Sequence, residues 1–146
     1  MKKFFSAIIA LMICVGVFGF AGCSLFGGEK EPLVIKESDT YIVITVSSEQ
    51  MEISSDTTLI DYMQTLKADG QLDFEITNGM ITSINGIENP ADWSSCWMLY
   101  TSDADLANSA WGTVEYNGVV YGSAILGAET LKIKDGCLYI WVFQSF

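Results

Sequence analysis

Four dipeptides that favour tight turns constrain this sequence more than any other feature. They are Asn78-Gly79, Asn85-Gly86, Asn117-Gly118 and Asp135-Gly136. Asn-Gly and Asp-Gly readily adopt the positive φ values that two-residue hairpin loops need. Three of them separate pairs of short runs rich in apolar and β-branched residues, and Asn85-Gly86 ends such a run. The sequence therefore predicts a domain dominated by antiparallel β-sheet.

One segment departs from this pattern and predicts a helix over residues 57–69. Leu59, Met63 and Leu66 recur at helical spacing, so they share one face of a helix. Thr58 and Asp61 have the spacing of a capping box, and Gly70 suits the C-terminal end. Strands are predicted before it, at residues 41–46 with a return at 51–53. Further strands are predicted after it on both sides of the turns, including one at residues 131–134 before Asp135-Gly136. The expected class is α+β, with one helix packed on a small mixed or antiparallel sheet.

The last predicted strand is apolar on both faces, which is typical of a central strand covered on two sides. Side chains alternate along a strand. One face is aliphatic, and we expect it to pack under the helix: Leu138, Ile140 and Val142. The opposite face carries Cys137, Tyr139, Trp141 and Phe143.

The N-terminal segment has the pattern of a secretory signal peptide. Lys2 and Lys3 precede an almost wholly apolar run over residues 4–20, and small residues stand just before Cys23. The run is short for a membrane span, which needs about 20 apolar residues. Residues 20–23 (Phe-Ala-Gly-Cys) resemble the lipobox of bacterial lipoproteins, with Phe20 where that pattern prefers leucine. This resemblance implies cleavage before Cys23, lipid on that cysteine and an extracytoplasmic chain anchored at the cell surface.

Residues 1–22 are therefore predicted to be the signal peptide, 23–39 the lipidated cysteine and a flexible tether, and 40–146 the folded domain. The whole chain carries a formal net charge of −11. Removing residues 1–22 leaves five lysines against eighteen acids, a net charge of −13. Such a surface repels nucleic acid. Histidine is absent, so the commonest general base and metal ligand are both missing. Together with the absence of catalytic motifs, this predicts a protein that is not an enzyme and needs no metal or cofactor.

The order of segments in residues 40–146 is similar to the transcobalamin-like C-terminal domain, a bacterial family also known as DUF4430. Five segments carry the resemblance: residues 58–61 (Thr-Leu-Ile-Asp), 81–87 (Ile-Thr-Ser-Ile-Asn-Gly-Ile), 97–100 (Trp-Met-Leu-Tyr), 131–136 (Leu-Lys-Ile-Lys-Asp-Gly) and 139–143 (Tyr-Ile-Trp-Val-Phe). The resemblance implies a β-grasp-like core and binding of cobalamin, another corrinoid or a similar flat ligand. The family's animal relatives clamp cobalamin against a second, helical domain. This chain lacks one, so a protein partner supplying that second domain is also implied.

Aromatic residues in the last third of the domain are the candidate ligand-binding side chains, because flat rings give large contact areas with a polar edge. Trp97, Trp111, Tyr116 and Tyr121 are expected to stack on or wall the ligand, and Asn85 to hydrogen-bond its edge. Two alternatives stay open: the same aromatics and a sheet edge dock a protein partner, or they bind a glycan. Filling the hydrophobic core is the competing role for Trp97.

The cysteines that remain after maturation, Cys96 and Cys137, lie in predicted neighbouring strands. An extracytoplasmic site permits a disulfide between them; the alternative is two buried thiols. Asp103, Asp105 and Asn108 partly match a calcium-binding loop, but they lack its turn glycine and closing glutamate. A polar loop is the simpler interpretation.

Overall fold

The computed structural model describes residues 29–146. The predicted signal peptide, Cys23 and the first part of the predicted tether lie outside the described residues. Pro32–Phe146 form one compact unit. Among the described residues, none belongs to a helix long and apolar enough to cross a membrane.

The described chain is α+β, as predicted, with one α-helix and nine strands. The helix is α1 (Leu59–Ala68). The strands are β1 (Val34–Ser38), β2 (Tyr41–Thr45), β3 (Phe74–Thr77), β4 (Met80–Ile84), β5 (Ile87–Glu88), β6 (Ser95–Thr101), β7 (Ala107–Tyr116), β8 (Val119–Ala124) and β9 (Leu138–Ser145). They form a six-stranded sheet in the order β1-β2-β9-β6-β8-β7 and a three-stranded sheet in the order β3-β4-β5. Every ladder between these strands is antiparallel.

Three of the four predicted turns have the expected left-handed backbone. The turn Asn78-Gly79 joins β3 to β4 with φ values of 52° and 81°, and Asn85-Gly86 joins β4 to β5 with 48° and 83°. The turn Asn117-Gly118 joins β7 to β8 with 51° and 75°. At the fourth turn only Gly136 has a positive φ, of 77°. The strand predicted before it, at residues 131–134, is wrong. Lys132 makes only an isolated bridge to Thr58, so this segment runs beside the start of the helix.

The helix confirms the prediction to within two residues at each end. Thr58 is its N-cap: its hydroxyl accepts from the Asp61 N–H at 3.3 Å, and the Asp61 carboxylate accepts from the Thr58 N–H at 3.0 Å. This reciprocal pair satisfies two N–H groups that the helix itself cannot. The apolar face of the helix is buried through Leu59, Ile60, Tyr62, Met63 and Leu66.

The strand that pairs with the outer edge of β2 comes from the predicted tether. Val34–Ser38 form β1, in register with β2, and Leu33 is buried. The predicted return strand at residues 51–53 is wrong, and so is the extension of the tether to residue 39. Pro32 and the surrounding charges mask this strand in the sequence. It pairs with β2 with an irregularity between Lys36 and Ser38, and Lys36 and Glu37 lie exposed at the sheet edge.

Strand β9 lies at the centre of the six-stranded sheet, between β2 and β6. Tyr139 and Ile140 are both completely buried, so both faces of β9 are covered, as predicted. The predicted orientation is wrong. Tyr139 and Trp141 pack with α1 in the helix-side core, together with Leu59, Met63 and Leu66. Ile140 faces the opposite side. The bulky rings fill the deeper space that the helix and the three-stranded sheet leave above the larger sheet.

The opposite face carries a smaller hairpin-side core, made of Val43, Tyr100 and Ile140. The β7–β8 hairpin covers it. Strand β8 pairs with β6 only at Tyr100 and Thr101, and the β7–β8 register shifts between Asn108 and Thr113. Beyond this irregularity the hairpin curls over the sheet, as the contact between its tip and the distant strand β2 shows. The Tyr41 hydroxyl donates to the Glu115 carbonyl oxygen at 2.8 Å, and the Tyr41 and Tyr116 ring centroids lie 6.4 Å apart.

Burial of Tyr139 predicts a loss of stability in alkali. Burial raises the pKa of the Tyr139 hydroxyl to about 12, above the value near 10 of an unfolded tyrosine. Between these pH values the folded state retains a proton that the unfolded state releases, so the free energy of unfolding falls as pH rises. We expect Tyr139→Phe to show a shallower fall between pH 9 and 12 in urea titrations. Equal slopes for the two proteins would contradict this assignment.

Candidate functional site

A groove of about 340 Å³ opens beside residues 96–99 of β6. Its walls are the turn that leads into β4 (Gly79 and Met80), the β6 segment 96–99 and the segment 124–128 that follows β8. Trp93 and Trp141 also line it. We refer to it as the Trp93 groove. Its volume falls within the range of small-molecule sites, about 300–1,000 Å³, and its walls are largely apolar.

Trp93 stands at the rim of this groove with half of its surface exposed. Its backbone is left-handed, with φ of 57°, a conformation that is unfavourable for a bulky residue. The surrounding loop holds it there. The Trp93 N–H donates to the Pro90 carbonyl at 3.0 Å, and the Asp92 carboxylate accepts from the Ser94 N–H and hydroxyl. Strained residues that their surroundings hold in place cluster at binding sites, so Trp93 is the strongest single indicator of a site here.

Trp97 forms a fixed wall of the groove. It is 95% buried, with 5% of its surface exposed, and its indole N–H donates to the Ile87 carbonyl at 2.8 Å. Its ring lies 5.4 Å from the Phe143 ring, centroid to centroid. The core role considered for Trp97 is therefore realised, and only part of the ring is left to contact a ligand.

Trp141 brings an unused hydrogen-bond donor to the same region. Its side chain is 5% exposed and lines the groove. Among the described residues, no acceptor pairs with its indole N–H. A buried donor without a partner costs about 1–3 kcal/mol. A ligand with a hydrogen-bond acceptor that reaches this atom would recover that cost.

The five predicted ligand-binding residues do not form one site. Only Trp97 lines the Trp93 groove. Tyr116 and Tyr121 pack against the hairpin-side core, and Trp111 is exposed on β7 with 63% of its surface free. Asn85 occupies a turn, where its side-chain oxygen accepts from the Asp73 N–H at 3.0 Å. Tertiary structure separates aromatics that are close in sequence, because the β7–β8 hairpin carries its rings to the opposite face.

Sequence reasoning missed three apolar residues of the groove, Met80, Ile125 and Leu126. Each is at least 39% exposed. The available signal was weak: Met80 follows the turn glycine Gly79, and Ile125-Leu126 continue an apolar run past the end of β8. Exposed apolar residues that gather around one concavity indicate a binding surface.

The groove carries no charge of its own. Cys96 is the one ionisable side chain among its lining residues, and burial raises the pKa of that thiol. It is therefore a protonated, weakly polar group at neutral pH. Acids stand just outside: Asp92 precedes Trp93, and the Glu129 carboxylate lies against Gly79. This setting favours a neutral or cationic ligand over an anionic one.

Of the two alternatives for Cys96 and Cys137, the structure has two free thiols and not the possible disulfide. Cys96 pairs in register with Gln144, seven residues beyond Cys137 in the neighbouring strand. At the rise of a strand, this separates the two cysteines by roughly 20 Å. The antiparallel register places them at opposite ends of the two strands, a consequence that the sequence pattern did not reveal.

Free thiols lead to a direct prediction. A disulfide closing this loop would add about 4 kcal/mol to the free energy of unfolding. We therefore expect the urea midpoint of the protein to be the same with and without a reducing agent, and a Cys96→Ser, Cys137→Ser double variant to be equally insensitive. A reductant-dependent drop in the wild type alone would show that the disulfide forms.

The cation beside Asp103 and Asp105 is a lysine. The Lys134 ammonium lies 2.9 Å from an oxygen of Asp103 and 3.0 Å from one of Asp105, and these hydrogen bonds raise its pKa. The Asn108 side chain instead accepts from the Ala110 N–H at 2.9 Å. Within residues 29–146, no group of three acids or cysteines is arranged to hold a metal ion. The calcium interpretation therefore gives way to an ion-paired loop.

Comparisons with protein-family models, with curated protein sequences and with solved structures find no match for this chain. The family resemblance drawn from residues 40–146 therefore remains a prediction.

Proposed function

We propose that this protein is a non-catalytic binding module that holds a small, flat, largely apolar ligand in the Trp93 groove. The observation that carries the proposal is Trp93 itself, an exposed ring kept at the groove rim by a left-handed backbone. The groove volume of about 340 Å³ suits a small molecule or one edge of a larger one.

The chemistry of the groove narrows the ligand. Its walls favour apolar faces, and the flanking acids disfavour negative charge. A corrinoid, the ligand that the resemblance to the transcobalamin-like domain implies, is the first compound to test. The proposal also includes a β-grasp fold, because the same family resemblance implies it. One helix packed on an antiparallel sheet is compatible with a β-grasp fold and with corrinoid binding.

Cobalamin titration followed by tryptophan fluorescence and calorimetry tests the proposal. We expect saturable binding that Trp93→Asn weakens roughly two- to tenfold, the usual contribution of one aromatic contact. Asparagine tolerates the left-handed backbone, so this variant removes the ring and leaves the loop. Trp111→Asn removes an exposed tryptophan outside the groove and should bind as the wild type does. No saturable signal up to millimolar cobalamin would overturn the corrinoid assignment.

We also propose that lipid on Cys23 anchors the protein to the outer side of the bacterial membrane. The support is the sequence of residues 1–23. The expected result is that a fatty-acid label is incorporated into the wild type and sediments with membranes, whereas Cys23→Ser loses the label and remains a larger, unprocessed precursor. Equal labelling of both proteins would contradict lipidation at this cysteine.

A further inference from the structure

We propose that the Trp93 groove also accepts an extended peptide segment of a partner protein as an additional strand beside β6. This goes beyond small-ligand binding, although it uses the same groove. The starting observation is an incomplete ladder. Strand β6 runs over Ser95–Thr101 and pairs along its whole length with β9. On its other side it pairs with β8 only at Tyr100 and Thr101.

The backbone of β6 presents hydrogen-bonding groups to the groove. Successive residues of a strand direct their N–H and C=O groups to alternate sides. The Ser102 N–H, just beyond β6, donates toward β9, to the Leu138 carbonyl at 3.0 Å. Trp97 is five residues earlier, and its N–H points the opposite way. Leu99 therefore directs its N–H to the groove side, beyond the last pair between β6 and β8.

Asn89 shows how the missing strand is partly replaced. Its side-chain oxygen accepts from the Trp97 N–H at 3.1 Å, and its side-chain nitrogen donates to the Ile81 carbonyl at 3.0 Å. A single amide side chain thus does at Trp97 what the backbone of a neighbouring strand would do. The Leu99 N–H, two residues further along, lies beside the groove beyond the last β6–β8 pair in the described part of the chain. A bound peptide would pair there and extend the sheet by strand addition.

The walls determine what kind of peptide fits. Alternate side chains of an added strand point to opposite faces. One set would lie against the apolar wall that includes Trp93 and Leu126. Asp92 and Glu129 flank the groove, and the chain as a whole carries a net charge of −11. The partner segment is therefore extended, with alternating β-branched residues, basic ends and no acids.

The probe is the peptide acetyl-Lys-Val-Thr-Val-Thr-Val-Lys-amide, titrated into the full mature protein in detergent micelles. We expect saturable binding and slower hydrogen exchange at the Leu99 amide. A version N-methylated at alternate residues keeps the side chains but cannot complete the ladder, and we expect it to bind at least tenfold more weakly. A version with glutamate ends should also bind more weakly. Equal binding by the N-methylated peptide, or no binding by the parent peptide, overturns the proposal.

Two matched variants locate the peptide. Leu126→Lys places a long cation in the groove, whereas Val120→Lys places one on the β7–β8 hairpin, at a position that is even more exposed. The first should weaken peptide binding at least fivefold and the second should not. Equal effects would reject this groove as the site. Cobalamin binding without peptide binding would overturn strand addition alone, whereas failure of both probes would overturn the proposed function as well.

Discussion

Trp97→Ala is expected to lower the free energy of unfolding by about 3–5 kcal/mol, the usual cost of removing a buried tryptophan. Only 5% of this side chain is exposed, and its ring packs against Phe143. The substitution also removes the hydrogen bond to the Ile87 carbonyl, which ties β6 to the three-stranded sheet. Removal of a ring that served chiefly to contact a ligand would lower the free energy of unfolding far less.

Urea unfolding followed by circular dichroism measures this effect, with Trp111→Ala as the control. Trp111 is 63% exposed, and a surface substitution of this kind changes stability by about 0.5 kcal/mol or less. The two variants remove the same ring from a buried and from an exposed position. A similar loss in both would mean that the burial difference between these tryptophans is wrong.

Ile140→Ala is expected to cost about 2–5 kcal/mol, as for other fully buried isoleucines. Ile140 is completely buried, yet it faces away from the helix, into the hairpin-side core. Its burial therefore depends on the β7–β8 hairpin. If the hairpin did not curl over the sheet, Ile140 would face solvent and its truncation would cost little.

Val142→Ala is the matched control, because Val142 lies on the same face of β9 and is only partly buried. It loses fewer methyl groups from a more open site, so we expect a loss of about 1 kcal/mol. The ratio between the two losses reports how well the hairpin covers the sheet. Comparable small losses for both would show that this face is open in solution.

Local elements were predictable because their signals are local. The Asn-Gly turns at Asn78 and Asn117 and the capping box at Thr58 and Asp61 each depend on backbone preferences within four residues. Strand β1 was missed although its partner β2 is the next strand along the chain, because charged residues interrupt its apolar pattern. The segment 131–134 was misassigned because its partner, Thr58, is distant in sequence, and β-structure depends on such partners more than on intrinsic preference.

The orientation of β9 could not be predicted because both of its faces are apolar. When polar residues are absent from a strand, alternation separates two sets of side chains without identifying which set meets the helix. The outcome was decided by space: Tyr139 and Trp141 need the deeper layer, and Ile140 fits the thinner one.

The candidate site was even less accessible from the sequence. Aromatic residues do line the Trp93 groove, but the curl of β7–β8 carried Tyr116 and Tyr121 to the opposite face. Trp93 counted as one more aromatic residue until its backbone conformation was known. The left-handed φ of 57° depends on the surrounding turn, and no sequence pattern around a tryptophan predicts it.

The position of β9 has a consequence for folding. It is the last strand in chain order, yet it joins β2 to β6 at the middle of the sheet. Before β9 is in place, β1–β2 and β6–β8 are separate fragments with exposed, unpaired edges. The rate-limiting step should therefore be the closure of a loop of nearly 100 residues between β2 and β9, and slow folding follows from such long-range pairing. The larger sheet of a nascent chain therefore stays open until β9 itself has been synthesised.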